Sequence, residues 1–234
     1  MDTGTKAVAA AAAVIAFAFA LATFERWLAR RRPQELAWAF ALLLFTFGAL
    51  ALWIGASLGW APWSFRLFYL FGAIANVPVL ALGSVYLVDR RAGHVLAAVL
   101  AIAIGFAGGV LATTPVGHIT AGTLPQGSDV LGVLPRVLAA ASSAGGALAV
   151  FGIALWSIAR RQRVVGNALI AAGTATLSAS GLLNSVLGEM DAFAVTLTVG
   201  VAVLFAGFLA SAASGAASDP TAPRSDPRAS ATSA

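Results

Sequence analysis

The residues of this chain that could do chemistry are few, and most of them carry no charge. Asn76 and Pro78 interrupt the apolar run "FRLFYLFGAIANVPVLALGSVYLV" at 65–88, with Tyr69 near its start, and Asn184 and Ser185 lie in a second apolar run further on. Amides and hydroxyls give and take hydrogen bonds without exchanging protons near neutral pH. The chemistry they offer is recognition, not acid–base catalysis. Asn76 stands ten residues beyond Arg66, roughly 15 Å along a helix, so a spanning helix would hold it near the bilayer midplane. Pro78 cannot donate to the carbonyl of Ile74, and its ring pushes that turn open. A freed carbonyl beside an amide makes a polar pocket, because irregular backbone at membrane depth must line protein or water. The blander alternative has the Asn76 amide capping that carbonyl or bonding a neighbouring helix, a contact worth about 0.6 kcal/mol on average.

Two arginines, Arg66 and Arg136, start apolar runs on the same side of the chain's charge pattern. They could snorkel toward lipid phosphates. Alternatively they pair with Glu189, Asp191 or Asp129 around an outer vestibule. Other chemistries are excluded by residue type. Cysteine is absent, which removes disulfides, thiolate metal sites and thiol nucleophiles. The single lysine, Lys6, precedes the first apolar run, so no retinal Schiff base can form inside a bundle. Glu25, Glu35, Asp89 and His94 fall at one edge of the apolar runs, and His118, Asp129, Glu189 and Asp191 at the other. No acid lies clearly inside, which argues against proton coupling by the usual carboxylate route. There is no HExxH and no buried acid pair. We therefore expect no catalytic residues, metal or cofactor, and no enzyme.

The elements that must position these residues are read from hydropathy. The 234 residues are 60% apolar and 10% charged, against roughly 25% charged in a soluble domain. Seven apolar segments are each long enough to cross roughly 30 Å of hydrocarbon: Ala7–Phe24, Leu36–Ser57, Leu67–Val88, Val95–Ala112, Val137–Ile158, Val164–Leu187 and Ala192–Ala213. The expected fold is an all-α integral membrane bundle of seven helices over residues 1–213. Residues 214–234, rich in Ser, Ala and Pro, read as a disordered cytoplasmic tail.

Alternate connections carry 9 arginines against 2. The first set holds Arg26, Arg30, Arg31, Arg32, Arg90, Arg91, Arg160, Arg161 and Arg163; the second holds Arg66 and Arg136. By the positive-inside rule the N-terminus is outside and the C-terminus inside. Trp27, Trp38 and Trp156 then mark the inner boundary, and Trp53, Trp60 and Trp63 the outer one. The net charge of +5 is accounted for by these loops and points to lipid, with no nucleic-acid partner. The sequence "ALA" at 20–22 resembles a cleavage site. Removing the first segment would leave "RWLARRR" outside against the charge bias, so it is expected to stay.

The longest loop, "TTPVGHITAGTLPQGSDVLGVLP" at 113–135, keeps Val, Ile and Leu and is expected to pack over the outer face. Small and polar residues recur at helical spacing. Tyr69, Gly72, Asn76, Gly83 and Tyr86 share one face of helix three by this count, and Gly105 with Gly109, or Ser142 with Gly146, do so on helices four and five. Helix six repeats the pattern with Asn167, Thr174, Ser178, Gly181, Ser185 and Gly188, and helix seven with Thr196, Gly200, Gly207 and Ser211. Most of these read as close-packing positions. "LARRR" at 28–32 and "IARRQ" at 158–162 follow the first and fifth segments, which suggests a 3+1+3 parallel repeat.

The wording of "FRLFYLFGAIANVPVLALGSVYL", "LPRVLAA", "GLLNSVLGEMDAFAVTL" and "VLFAGFLAS" resembles a group of uncharacterised multi-pass membrane proteins of high-GC actinobacteria. The resemblance covers helices two to seven. It implies a bacterial plasma-membrane location and brings no activity or site residues. In helix count, orientation and length the chain is also similar to SWEET facilitators, which place asparagines in a sugar pocket. Their prolines in the first helix of each half have no counterpart here. The expected function is a module for binding or facilitated transport of a small uncharged or amphipathic ligand. The alternative is a sensory or scaffold subunit that binds another membrane protein or a lipid.

Overall fold

A computed structural model describes residues 3–120 and 125–159, and beyond them 165–166, 168–170, 172–173, 176, 199–200, 202–204, 206–207 and 210. Five helices among the described residues are long and apolar enough to cross a membrane, and no strand occurs among those residues. α1 is Thr3–Arg30, α2 is Pro33–Leu58, α5 is Arg90–Thr113 and α7 is Val133–Ala159. The remaining span, Pro62–Val88, is composite: α3 (Pro62–Phe68), a π-helical segment (Tyr69–Ala75) and α4 (Asn76–Val88). A short turn of helix, α6 (Gly127–Val130), lies in the long loop. The five spans coincide with the first five segments expected from hydropathy. The described residues of segments six and seven are helical as well.

Local chemistry sets the boundaries. α2 begins with Pro33 at its first position, where the missing N–H costs nothing. Pro62 does the same for α3. Ser64 Oγ accepts from the Ala61 N–H at 3.1 Å and donates to the Ala61 carbonyl at 3.0 Å. That cap moves the start of the third span to Pro62, ahead of the expected Leu67. Asp89 accepts from the N–H groups of Arg91 (2.7 Å) and Ala92 (3.3 Å), capping α5. Gly59, at φ +91°, turns the chain after α2, a backbone conformation that favours glycine.

Helices in lipid gain little from apolarity alone and associate through close packing. α1 lays Ala12, Ala13 and Ala16 against Phe45 and Ala49 of α2. The central core joins Trp38, Ala41 and Leu44 of α2 to Ala75, Val79, Leu80 and Ala81 of the third span and Val150 of α7, with Ile170 and Leu204 completing it. A side-chain carbon on Gly173 would sit 2.5 Å from the Leu204 nitrogen, and one on Gly207 would sit 2.7 Å from the Ile170 nitrogen. The sixth and seventh segments therefore meet backbone to backbone at these glycines.

The second core closes the opposite end of the bundle from the arginine-rich turns. Phe65, Ile74, Ala107 and Leu111 pack with Val130 and Leu131 of the long loop, and Val116 and Ile119 lie against them. The Gly117 N–H donates to the Val130 carbonyl at 2.8 Å, tying the two arms of the loop together. The described parts of the loop pack down as their apolar residues require.

Candidate functional site

The break in the third span is where polarity and irregular backbone coincide. Asn76 is the first residue of α4, directly after the π segment, and Pro78 is the third. The chain runs from the π segment into α4 without leaving helical conformation (Ala75 φ −88°, ψ −35°), so Pro78 removes a donor inside a continuous helix, and the irregular turn lies just before it. A π segment carries i→i+5 bonds and often marks functional sites. Ser143 Oγ of α7 donates to the Ala73 carbonyl in that segment at 2.7 Å. Three residues further along α7, Gly146 meets the same junction. A carbon added there would lie 2.9 Å from both the Pro78 nitrogen and the Val77 carbonyl carbon.

This arrangement revises the local expectation. The carbonyl that gains a side-chain donor is Ala73, not Ile74, and the donor is Ser143, not Asn76. Among the described residues the half-buried Asn76 amide forms no hydrogen bond. The bond expected to hold helices together is made by another residue, and the amide is left over. Replacing Ser143 by Ala is expected to cost about 0.6–1.7 kcal/mol, measurable as a lower unfolding midpoint in detergent.

The shared polar face on helix three is also revised. The widened turns of the π segment shift the residues before it by roughly 100° relative to those after it, one residue's worth of rotation. Tyr69 turns to the loop, where a carbon on Gly127 would come within 2.9 Å of its hydroxyl oxygen. Gly72 faces Gly48 of α2, with backbone 3.3 Å from a carbon placed on Gly48. Gly83 receives the Trp38 ring, and Tyr86 lies over Gly93 with its hydroxyl 3.1 Å from His94 Nδ1. Tyr69 and Asn76 consequently stand at different places, one at the loop end and one mid-span. Asn184 and Ser185 lie outside the described residues.

At the loop end Arg66 Nη2 donates to the Thr114 carbonyl at 2.9 Å. A cation at the C-terminus of α5 is electrostatically favourable. The Arg66 Nε is buried with no partner among the described residues, as is Trp60 Nε1. Arg136 is exposed and lies within electrostatic reach of the Tyr69 phenol. Neither arginine is ion-paired among the described residues, and Glu189 and Asp191 fall outside them.

At the other end, Glu35 does not sit on a solvated edge. It is 2% exposed, with Oε1 at 3.7 Å from Arg26 Nη2 and 4.0 Å from Arg30 Nη1, while Oε2 has no partner among the described residues. Because α2 starts at Pro33, its third position turns inward against the last turns of α1. The hydropathy profile, which places Glu35 just beside the arginine run, carries no sign of this. The GxxxG of Gly105 and Gly109 on α5 has no atom within 4 Å of either glycine's added carbon among the described residues.

Comparison with protein-family models, curated proteins and solved structures finds no match to the chain.

Proposed function

We propose that this multi-pass helical protein is a binding or facilitated-transport module for a small uncharged or amphipathic molecule in a bacterial plasma membrane. Its N-terminus and long loop face outward, and its arginine-rich turns face the cytoplasm. The proposed pocket lies at the π–α4 junction, against Asn76 and Pro78. One observation carries this reading. The Asn76 amide, near the middle of Pro62–Val88, has no hydrogen bond among the described residues, although Ser143 already serves the neighbouring carbonyl. An amide kept unpaired at membrane depth is costly unless water or a ligand meets it. Glu35 is engaged by arginines from α1 at the bundle's edge, so the movement of ligand is taken as passive.

The test exploits the missing cysteines. Asn76→Cys is expected to react with a membrane-impermeant maleimide in intact cells. Protection in a folded, inserted protein would make the junction a dry contact. A second reading, a scaffold or sensory subunit that binds another membrane protein, is favoured by α5. Ile102 and Phe106 are exposed there beside Gly105 and Gly109, a surface suited to a partner helix.

A further inference from the structure

The link between α1 and α2 is two residues long, and both are arginines, Arg31 and Arg32. Around this turn Arg26, Arg30, Arg31 and Arg32 stand against two acids, Glu25 and Glu35. Glu35 is taken by Arg26 and Arg30. Arg31, Arg32 and Glu25 are exposed and form no ion pair among the described residues. The backbone at Arg31 has φ +51°, and no other non-glycine among the described residues has a positive φ. Glycine or asparagine is the usual choice at such a helix end, so this arginine stands there against the preference of its backbone.

Its side chain folds back along α1. The Arg31 Cζ lies 4.9 Å from the centre of the Trp27 ring, and the Arg31 N–H donates to the Trp27 carbonyl at 2.7 Å. Trp27 in turn meets Phe24, with ring centres 5.2 Å apart. A guanidinium stacked on a ring uses its face and leaves its in-plane fork of donors open. Beneath it Phe17, Leu21, Phe24 and Leu28 follow one another at helical spacing, and all four are exposed. Phe17 and Arg31 are fourteen residues apart, roughly 21 Å of helix. That equals the roughly 20–22 Å from a bilayer's midplane to its headgroups. An exposed apolar stripe one leaflet high, ending in an unpaired donor fork, fits a phospholipid laid against it. We propose that Arg31, with Arg32 beside it, binds the phosphate of an anionic phospholipid whose acyl chain lies along the Phe17–Leu28 stripe of α1. A zwitterionic lipid carries its own cation near the phosphate, so the unbalanced charge of this turn favours the anionic one. The inference is independent of the pocket at Asn76 and needs only α1 in a membrane.

The experiment titrates the full chain, in a non-ionic detergent, with phosphatidylglycerol or phosphatidylcholine of the same acyl chains and counts bound lipids by native mass spectrometry. The first phosphatidylglycerol should bind about fivefold more tightly than the first phosphatidylcholine. Arg31→Gly should weaken that first phosphatidylglycerol by about fivefold. The same variant should unfold at a midpoint equal to or above the parent's, since glycine accepts the backbone conformation freely. Arg32→Gln, at an exposed position, should weaken binding by about fivefold through charge alone, whatever the backbone at position 31 does. Arg90→Gln combined with Arg91→Gln removes two exposed arginines from a different turn and should leave the first site within about twofold of the parent. Equal binding of the two lipids, or binding indifferent to both Arg31→Gly and Arg32→Gln, would overturn the proposal. An equal loss on removing Arg90 and Arg91 would replace the site by a general attraction to basic turns. Displacement of the lipid by inorganic phosphate at equal concentration would leave a free phosphate ion as the occupant and overturn the lipid assignment. A lowered midpoint for Arg31→Gly with unchanged lipid binding would make Arg31 a structural cap alone.

Discussion

Gly146→Ala should destabilise the protein by about 2 kcal/mol, while Gly145→Ala, one residue away, should stabilise it by about 0.5–1 kcal/mol. Both glycines lie inside α7, so helix propensity favours alanine at each. What separates them is direction. A carbon on Gly145 meets nothing within 4 Å, whereas one on Gly146 meets the backbone of Val77 and Pro78 at 2.9 Å. Backbone cannot rotate aside as a side chain does, so α7 must back away from the π–α4 junction. Ser143, three residues before Gly146, would then lose its 2.7 Å hold on the Ala73 carbonyl. Unfolding of the purified variants, followed by circular dichroism during a denaturing-detergent titration, reads both effects. Equal stabilities for the two variants would mean that α7 does not touch the junction at Gly146.

The second large effect is at the arginine-rich end, and it is asymmetric. Arg26→Gln is expected to cost about 3 kcal/mol, because it removes the nearer and less exposed of the two guanidinium groups that face the buried carboxylate and leaves only the more solvated Arg30. Arg30→Gln should cost less than ~1 kcal/mol. The Arg30 side chain is 40% exposed and 4.0 Å from Glu35, against 23% and 3.7 Å for Arg26. Replacing both partners, as Arg26→Leu with Glu35→Leu, should return stability to within about 1 kcal/mol of the parent, since the desolvation penalty disappears with the charges. The same titration tests all three variants. A double variant no better than Arg26→Gln would show that Glu35 serves something other than the α1–α2 contact.

Hydropathy and turn chemistry carry far into this fold. The five described spans and the packing of the described parts of the long loop follow from residue type, whereas α2 and α3 start at Pro33 and Pro62, ahead of Leu36 and Leu67 where the apolar runs begin. Sidedness around a helix is another matter. Each residue turns by roughly 100°, so one added residue in a π segment moves everything beyond it to another face. Tyr69 and Asn76 are seven residues apart and read as neighbours on an α-helix, yet the π segment separates them. The same sensitivity hides Ser143, since Ser142 and Ser143 are chemically alike and only the second reaches Ala73. For Glu35, three arginines within five residues suggest a solvated loop. Only the start of α2 at Pro33 turns that carboxylate inward. The proline and the amide still mark the junction in sequence, because both are expensive inside hydrocarbon.

The central claim is that the junction at Asn76 is wet. The most direct measurement is the rate at which an impermeant maleimide modifies Asn76→Cys, in right-side-out and in inverted membrane vesicles. A substitution to cysteine in the loop at position 120 and one at position 31 serve as controls for the two sides. A facilitator predicts modification at position 76 from both sides, slower than at either control but complete. Protection from both sides, with the controls reacting and the protein folded, would contradict the account. It would make Asn76 a packing residue whose partner lies elsewhere in the bundle.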